Sequence, residues 1–212
     1  MKIAIIGASG KAGNVILEES MERGHQVTAI VRNASKIKKS DVQILEKSVF
    51  DLNTEDIKDF DVVVNAFKAI EGQEHQHVEA GTVLIKALQG TIQTRLIVVG
   101  GAGSLFVDEA QTTRKFEAPG FPEVYLPTAV NMAKNLNDLQ RSTGIQWTYL
   151  SPAGIFDPEG RKTGSYQKGG DRVTLNIQGE SYISYADYAI ALLDEIEHPE
   201  HENMRYSVVG ER

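Results

Sequence analysis

The chain contains no cysteine, so disulfides, thiolate nucleophiles and cysteine-ligated metals are excluded. It also lacks any excess of positive charge: 22 Lys and Arg stand against 29 Asp and Glu, a formal net charge of −7. Phosphate backbones need a basic surface, so nucleic acid is not expected as the main partner. No apolar run approaches membrane-spanning length, and no charged and apolar leader precedes the first strand. No membrane association is expected, and a cytoplasmic protein is. Low-complexity stretches, repeats and linkers are missing as well. The 212 residues therefore read as a single domain over 1–212, large enough to bury a substantial core.

What is present starts at once. Lys2-Ile3-Ala4-Ile5-Ile6 is a short apolar run without alternation, the pattern of a strand buried on both faces. Gly7-Ala8-Ser9-Gly10-Lys11-Ala12-Gly13 follows, then a helical stripe carried by Ala12, Val15, Ile16 and Met21 that stops at Gly24. A second apolar run, Gln26-Val27-Thr28-Ala29-Ile30-Val31, completes a strand, glycine turn, helix, strand unit. The first N–H groups of such a helix are unpaired and its positive dipole end faces the turn, so a pyrophosphate fits there. Glycines alone are compatible with an ordinary tight turn; their place between a strand and a stopped helix favours a dinucleotide site for Gly7, Ser9, Gly10, Lys11, Ala12 and Gly13.

The second strand ends at Arg32, where an NAD-selective unit would carry a carboxylate for the ribose 2′-OH. Arg32 offers instead a planar fork suited to a 2′-phosphate, with Lys36 within reach, which predicts NADP(H) over NAD(H). The alternative is a solvated arginine opening a loop.

Later segments repeat the alternation. Short strands are expected at residues 42–45, 61–67, 95–99, 146–150 and 205–209, and helices at 74–88, 127–142 and after Ser184. This is the pattern of an α/β doubly wound parallel sheet, the Rossmann arrangement, whose ligands lie outside the carboxyl ends of the strands. That crevice should collect Asn65, Ala66 and Phe67, the run from Gly100 to Ser104, and the turn Pro152-Ala153-Gly154-Ile155-Phe156. The glycines after residue 99 suggest backbone approaching a ligand. Asp51 either accepts from an adenine amino group, with Leu52 closing over the ring, or else Asp51 or Thr54 only caps a short helix up to Phe60. His75 and His77 read as solvated histidines at a helix start, since positions two apart on a helix diverge. The irregular stretch 105–126 has the length of a binding loop or lid, and 157–171 reads as polar, basic and flexible.

Together, Gly7-Ala8-Ser9-Gly10-Lys11-Ala12-Gly13, Val31-Arg32-Asn33, Asp51-Leu52, Asn65-Ala66-Phe67, Pro152-Ala153-Gly154-Ile155 and Ile183-Ser184-Tyr185-Ala186-Asp187-Tyr188-Ala189 resemble the atypical short-chain dehydrogenase/reductase superfamily. Within it, the likeness is to small proteins similar to bacterial NADH-flavin reductases and biliverdin reductase B, and it covers essentially the whole chain. The resemblance implies Gly7, Ser9, Lys11 and Ala12 around the phosphates and Arg32 at the 2′-phosphate. It also implies Asp51 and Leu52 at adenine, and Pro152, Gly154 and Ile155 near the carboxamide.

One departure from the superfamily stands out. None of the seven tyrosines has a lysine four residues on, and although Lys134 sits on the expected helix, Val130 occupies the tyrosine position. The usual acid/base pair for carbonyl reduction is therefore missing. Flavin reduction does without it, because holding two flat rings face to face supplies much of the rate. The expectation is an NAD(P)H-dependent reductase of a small-molecule acceptor, FMN, FAD or a quinone-like ring. Ser104 and Lys134 are candidates for orienting substrate, and Phe67, Phe106, Phe156 and Tyr166 for stacking walls. The alternative is an NADP(H)-binding redox sensor without turnover. Either a monomer or a homodimer is compatible with the sequence.

Overall fold

The computed structural model describes all residues, 1–212. β1 (Lys2–Ile6) lies in the interior of an eight-stranded sheet, third from one edge. Its residues alternate between two cores. Ile3 and Ile5 face one cluster with Ile16, Leu17, Tyr188 and Leu192, while Ala4 and Ile6 face another with Leu84, Leu88, Leu136 and Leu139. A strand covered on both faces has no polar side to show, which is why it reads as an unbroken apolar run.

The remaining elements in chain order are α1 (Lys11–Glu22), β2 (Gln26–Val31), β3 (Gln43–Glu46), α2 (Thr54–Ile57), β4 (Val62–Asn65), α3 (Gln76–Leu88), β5 (Arg95–Val99), α4 (Leu126–Arg141), β6 (Gln146–Ser151), β7 (Ile155–Asp157), β8 (Tyr166–Gly169), β9 (Tyr182–Ser184), α5 (Tyr185–Glu197) and β10 (Met204–Gly210). The sheet runs β3-β2-β1-β4-β5-β6-β10-β8. Strand order reverses at β1, so the crevice between the ends of β1 and β4 is the switch point where such sheets take ligands. α1 packs with α5 on one face and α3 with α4 on the other.

Three short strands depart from the expectation. β8 forms inside the stretch read as flexible and runs antiparallel to β10, with Ser207 opposite Gly169. β7 and β9 make a separate parallel pair, so the turn after β6 is only Pro152-Ala153-Gly154 before pairing resumes. Each strand is three or four residues long, too short for a periodic signal. The loop before β8 is further tied by the buried carboxylate of Asp187, which accepts from Thr163 N (2.9 Å), Thr163 Oγ1 (2.8 Å) and Gly164 N (2.9 Å). Ser184 caps α5 as read, its Oγ accepting from Asp187 N at 3.0 Å. The short helix is capped by neither Asp51 nor Thr54: Asn53 does so, in a capping box with Asp56.

The end of the sheet away from the glycine turn is locked by a buried ion pair. Arg95 opens β5 and Glu195 lies on α5, both buried; Arg95 Nη2 donates to Glu195 Oε1 and Nη1 to Glu195 O at 3.0 Å. The carboxylate also accepts from Glu200 N (3.1 Å) and His201 N (2.9 Å) and pairs with His201 Nδ1 at 2.7 Å. His201 in turn stacks on Tyr206 with centroids 3.9 Å apart.

Candidate active site

The glycine turn is built by exclusion of side chains. Gly7 has φ +75°, and a Cβ there would lie 2.7 Å from Ala66 O; a Cβ on Gly13 would lie 2.2 Å from Gly7 O. Glycine is therefore required at both positions for α1 to start this close to β1 and β4. Gly10 is the N-cap of α1 and offers no side chain to the helix start. Gly10 N donates to Gly7 O and Asn14 N to Gly10 O, whereas the N–H groups of Lys11, Ala12 and Gly13 have no acceptor in the chain. Three orphan donors at the positive end of a twelve-residue helix, with the intervening space kept open by glycines, fit a phosphate group.

A pocket opens beside this turn, lined by Gly7, Ser9, Gly10, Arg32, Ala66, Phe67 and the run Lys47-Ser48-Val49. Arg32, Lys47 and Lys68 all line it and no carboxylate does. Lys47 is paired with Asp56 at 2.7 Å, but neither Arg32 nor Lys68 has a hydrogen-bond or ion-pair partner. Lys36 ends a 3-10 turn and lies outside the lining. Asn65 is buried and its Oδ1 accepts from Phe67 N at 3.1 Å, which sets the Ala66-Phe67 backbone against Gly7. Asp51 and Leu52 are not brought to the pocket. Asp51 is exposed at the end of a 3-10 turn and Leu52 is buried in the core that holds Leu84 and Leu88; the wall is formed by the three residues Lys47, Ser48 and Val49 instead.

His77 corrects the reading of a solvated histidine. It is buried and meets the Phe67 ring edge-on at 5.7 Å, because the first turn of α3 folds against the end of β4; His75 is exposed. Burial holds the His77 pKa down to about 4. The native state thus keeps it neutral while the unfolded chain protonates near 6.5, so stability is full above that value and falls as pH drops toward 4, by about 3 kcal/mol at most. A His77→Phe variant should show a flatter loss of stability between those two values in denaturant titrations, and an unchanged slope would remove His77 from the account.

A second, larger cavity of about 590 Å³ lies at the ends of β5 and β6, lined among others by Gly100, Gly101, Lys115, Tyr125, Met132, Pro152, Gly154, Ile155 and Phe156. The glycine-rich exit of β5 has a partly internal cause. A Cβ on Gly100 would lie 2.3 Å from the Tyr149 ring, and one on Gly103 2.6 Å from Ala129 Cβ, so these glycines admit the protein's own β6 and α4 as well as opening the cavity. Tyr149 Oη accepts from Gly101 N at 3.2 Å and donates to Met132 O at 3.3 Å. Burial pushes its pKa up to about 12, so it acts as a fixed neutral prop.

Neither orienting candidate reaches this cavity. Ser104 is buried, its Oγ accepting from Arg205 Nη1 at 3.2 Å. Lys134 is exposed on α4, two residues past Met132 and therefore near the opposite side of the helix from Thr128, Ala129 and Met132, which line the cavity. Of the aromatic walls, Phe67 and Phe156 line the two pockets. Phe106 instead lies under the Arg114 guanidinium at 4.2 Å, and the Tyr166 hydroxyl donates to Asp194 at 2.7 Å, away from both. The reading missed Phe121, Tyr125 and Lys115, all in the 105–126 stretch. Its length marked it as a binding segment, but without periodicity nothing indicated which of its side chains turn inward.

Comparison with known proteins agrees with this geometry. The sequence model of a family described as NAD(P)H-binding matches residues 7–199. The chain is 67% identical over 211 residues to the Bacillus subtilis (strain 168) "Uncharacterized protein YwnB", covering 100% of this chain and 99% of that one. It is 44% identical, with a TM-score of 0.95 and full coverage of both chains, to a Streptococcus pneumoniae TIGR4 protein described as "a putative NADH-flavin reductase". An anaerobilin reductase from Escherichia coli O157:H7 shares the fold at a TM-score of 0.75 and 19% identity, over 99% of this chain and 97% of that one. The orphan donors, the glycine cradle and the match across nearly the whole sequence converge: the chain belongs to the NAD(P)H-binding family.

Proposed function

We propose that the protein is an NADP(H)-preferring reductase that passes a hydride to a flat conjugated acceptor of the flavin or quinone type. When bound, the nicotinamide cofactor supplies the hydride. The chain's own part is positional. The N–H groups of Lys11, Ala12 and Gly13 hold phosphate, Arg32 pairs the 2′-phosphate with Lys68 beside it, and the turn from Pro152 to Ile155 faces the reacting half. The observation that carries the cofactor choice is a pocket with three cations and no carboxylate on its wall.

The acceptor class rests on the second cavity. Its wall is mostly glycine and apolar side chains, with Phe121, Tyr125 and Phe156 as aromatic surfaces. Tyr125 is the phenol on that wall, yet Ala129 stands four residues on, so the Tyr-x-x-x-Lys pair of carbonyl reduction is missing. A flat acceptor stable as an anion needs no such pair. The description of the streptococcal relative as a flavin reductase supports the same acceptor, while its NADH contrasts with the cations found here.

Two measurements test the reading. Mixing the protein with NADPH and FMN, FAD or a naphthoquinone should give steady loss of NADPH absorbance; binding of NADP⁺ and NADPH without turnover on any acceptor would favour a redox sensor instead. Arg32→Asp should shift the ratio of NADPH to NADH affinity toward NADH by about one to two orders of magnitude, the worth of a charge-assisted hydrogen bond. An unchanged ratio would remove Arg32 from the 2′-phosphate.

A further inference from the structure

Lys115 is the one charged residue on the wall of the 590 Å³ cavity. It opens a 3-10 turn, Lys115–Glu117, whose backbone is stitched to the exit of β5: Lys115 N donates to Leu105 O at 2.7 Å and Phe116 N to Gly103 O at 3.0 Å. From there the side chain reaches across to the Pro152-Ala153-Gly154 turn. A Cβ on Gly154 would lie 2.1 Å from Lys115 Nζ, so the missing side chain at 154 is what leaves room for the ammonium. The ammonium has no hydrogen-bond acceptor and no ion-pair partner in the chain. The nearby carboxylate of Glu117 is occupied elsewhere, accepting from Arg114 N at 2.7 Å.

A half-buried ammonium without a counter-charge is costly unless something arrives to pair it. Burial alone already holds its pKa below the ordinary lysine range. We propose that Lys115 selects the acceptor, and that the cavity takes a flat conjugated ring carrying a negative charge on its edge, which the ammonium pairs. This rests on the second cavity being the acceptor side of the cofactor site, and it narrows the acceptor from any electron-poor ring to an anionic one. Phe121, Tyr125 and Phe156 supply ring contact, and Lys115 supplies the single point that fixes which edge faces the β6 turn.

The test is calorimetric and independent of turnover. Protein saturated with NADP⁺ is titrated with 2-hydroxy-1,4-naphthoquinone, an anion at neutral pH, and with its neutral methyl counterpart, 2-methyl-1,4-naphthoquinone. The wild type should bind the anion at least about tenfold more tightly, the order expected of one partly desolvated ion pair. Lys115→Met should bind both rings alike, and Lys115→Arg should keep most of the preference. Should the methionine variant fold poorly, Lys115→Gln takes its place. Equal affinities in the wild type, binding of neither ring, or a preference that survives in the uncharged variant would overturn the assignment. Failure of the cofactor reading shows separately, as no heat on adding NADP⁺ or NADPH; the ring titrations run on the protein alone then still decide the role of Lys115.

Discussion

Replacing Gly13 with alanine is expected to weaken NADP⁺ binding by at least about a hundredfold, the loss of two charge-assisted hydrogen bonds at ~1.5–3 kcal/mol each. The added methyl would stand 2.2 Å from Gly7 O, 2.8 Å from Gly7 C and 3.0 Å from Ala8 Cα. All three are backbone atoms, so no rotamer change relieves the clash and the start of α1 must lift off the turn, carrying the Lys11 and Ala12 donors away from the phosphate. Gly24 provides the control. It has φ +78°, but a methyl group added there would meet nothing within 4 Å, so Gly24→Ala should cost ~1 kcal/mol of stability and leave cofactor affinity alone. Calorimetry on the two variants separates a local loss of the phosphate cradle from general destabilisation. If Gly13→Ala bound NADP⁺ as tightly as the wild type, the turn would not be the phosphate site.

The largest stability effect is expected far from that site. Glu195→Gln leaves the buried Arg95 guanidinium without its counter-charge, which costs ~3–5 kcal/mol, a fall of roughly 6–20 °C in Tm for a chain of this size. A double variant, Arg95→Met with Glu195→Leu, should recover much of the loss, because it removes both charges from the interior. The pH dependence has a definite sign. Burial opposes ionisation of Glu195, but the hydrogen bonds from His201 and Arg95 outweigh it and hold its pKa below the ordinary 4.5. The pair therefore stabilises fully above that value and its contribution is lost as pH falls through the lower native pKa. Glu195→Gln should lack this part of the acid transition, and melts of wild type and variant across that range check it. Equal melting temperatures at neutral pH would show the pair to be energetically idle.

The doubly wound parallel sheet was legible because each of its central strands is buried on both faces and so leaves an unbroken apolar run, as in Val62-Val63-Val64. The glycine turn was legible for a related reason: its open donors are backbone N–H groups, and glycine is the residue that betrays such a turn. The wall of the larger cavity was not. Ser104 and Lys134 lie at suggestive positions along the chain, yet a buried contact with Arg205 claims the first and helix rotation turns the second outward. Lys115 carries no local pattern at all; what places it is the absence of a side chain at Gly154, far along the chain on the other side of α4 and β6. His77 misled for the opposite reason, since a polar residue at a helix start reads as solvated unless the ring it packs against, Phe67, is already known.

The stretch after β5, part of which lines the larger cavity, is not independent of the stretch after β8. Phe106 N donates to Asp171 O at 2.9 Å and Val173 N to Phe106 O at 2.9 Å, so the segment after β5 and the segment after β8 form a single knitted unit. Grafting either one alone from a relative, as one would to borrow its substrate range, would break these rungs. Specificity in this scaffold should therefore transfer only when both segments travel together, as a matched pair of cassettes.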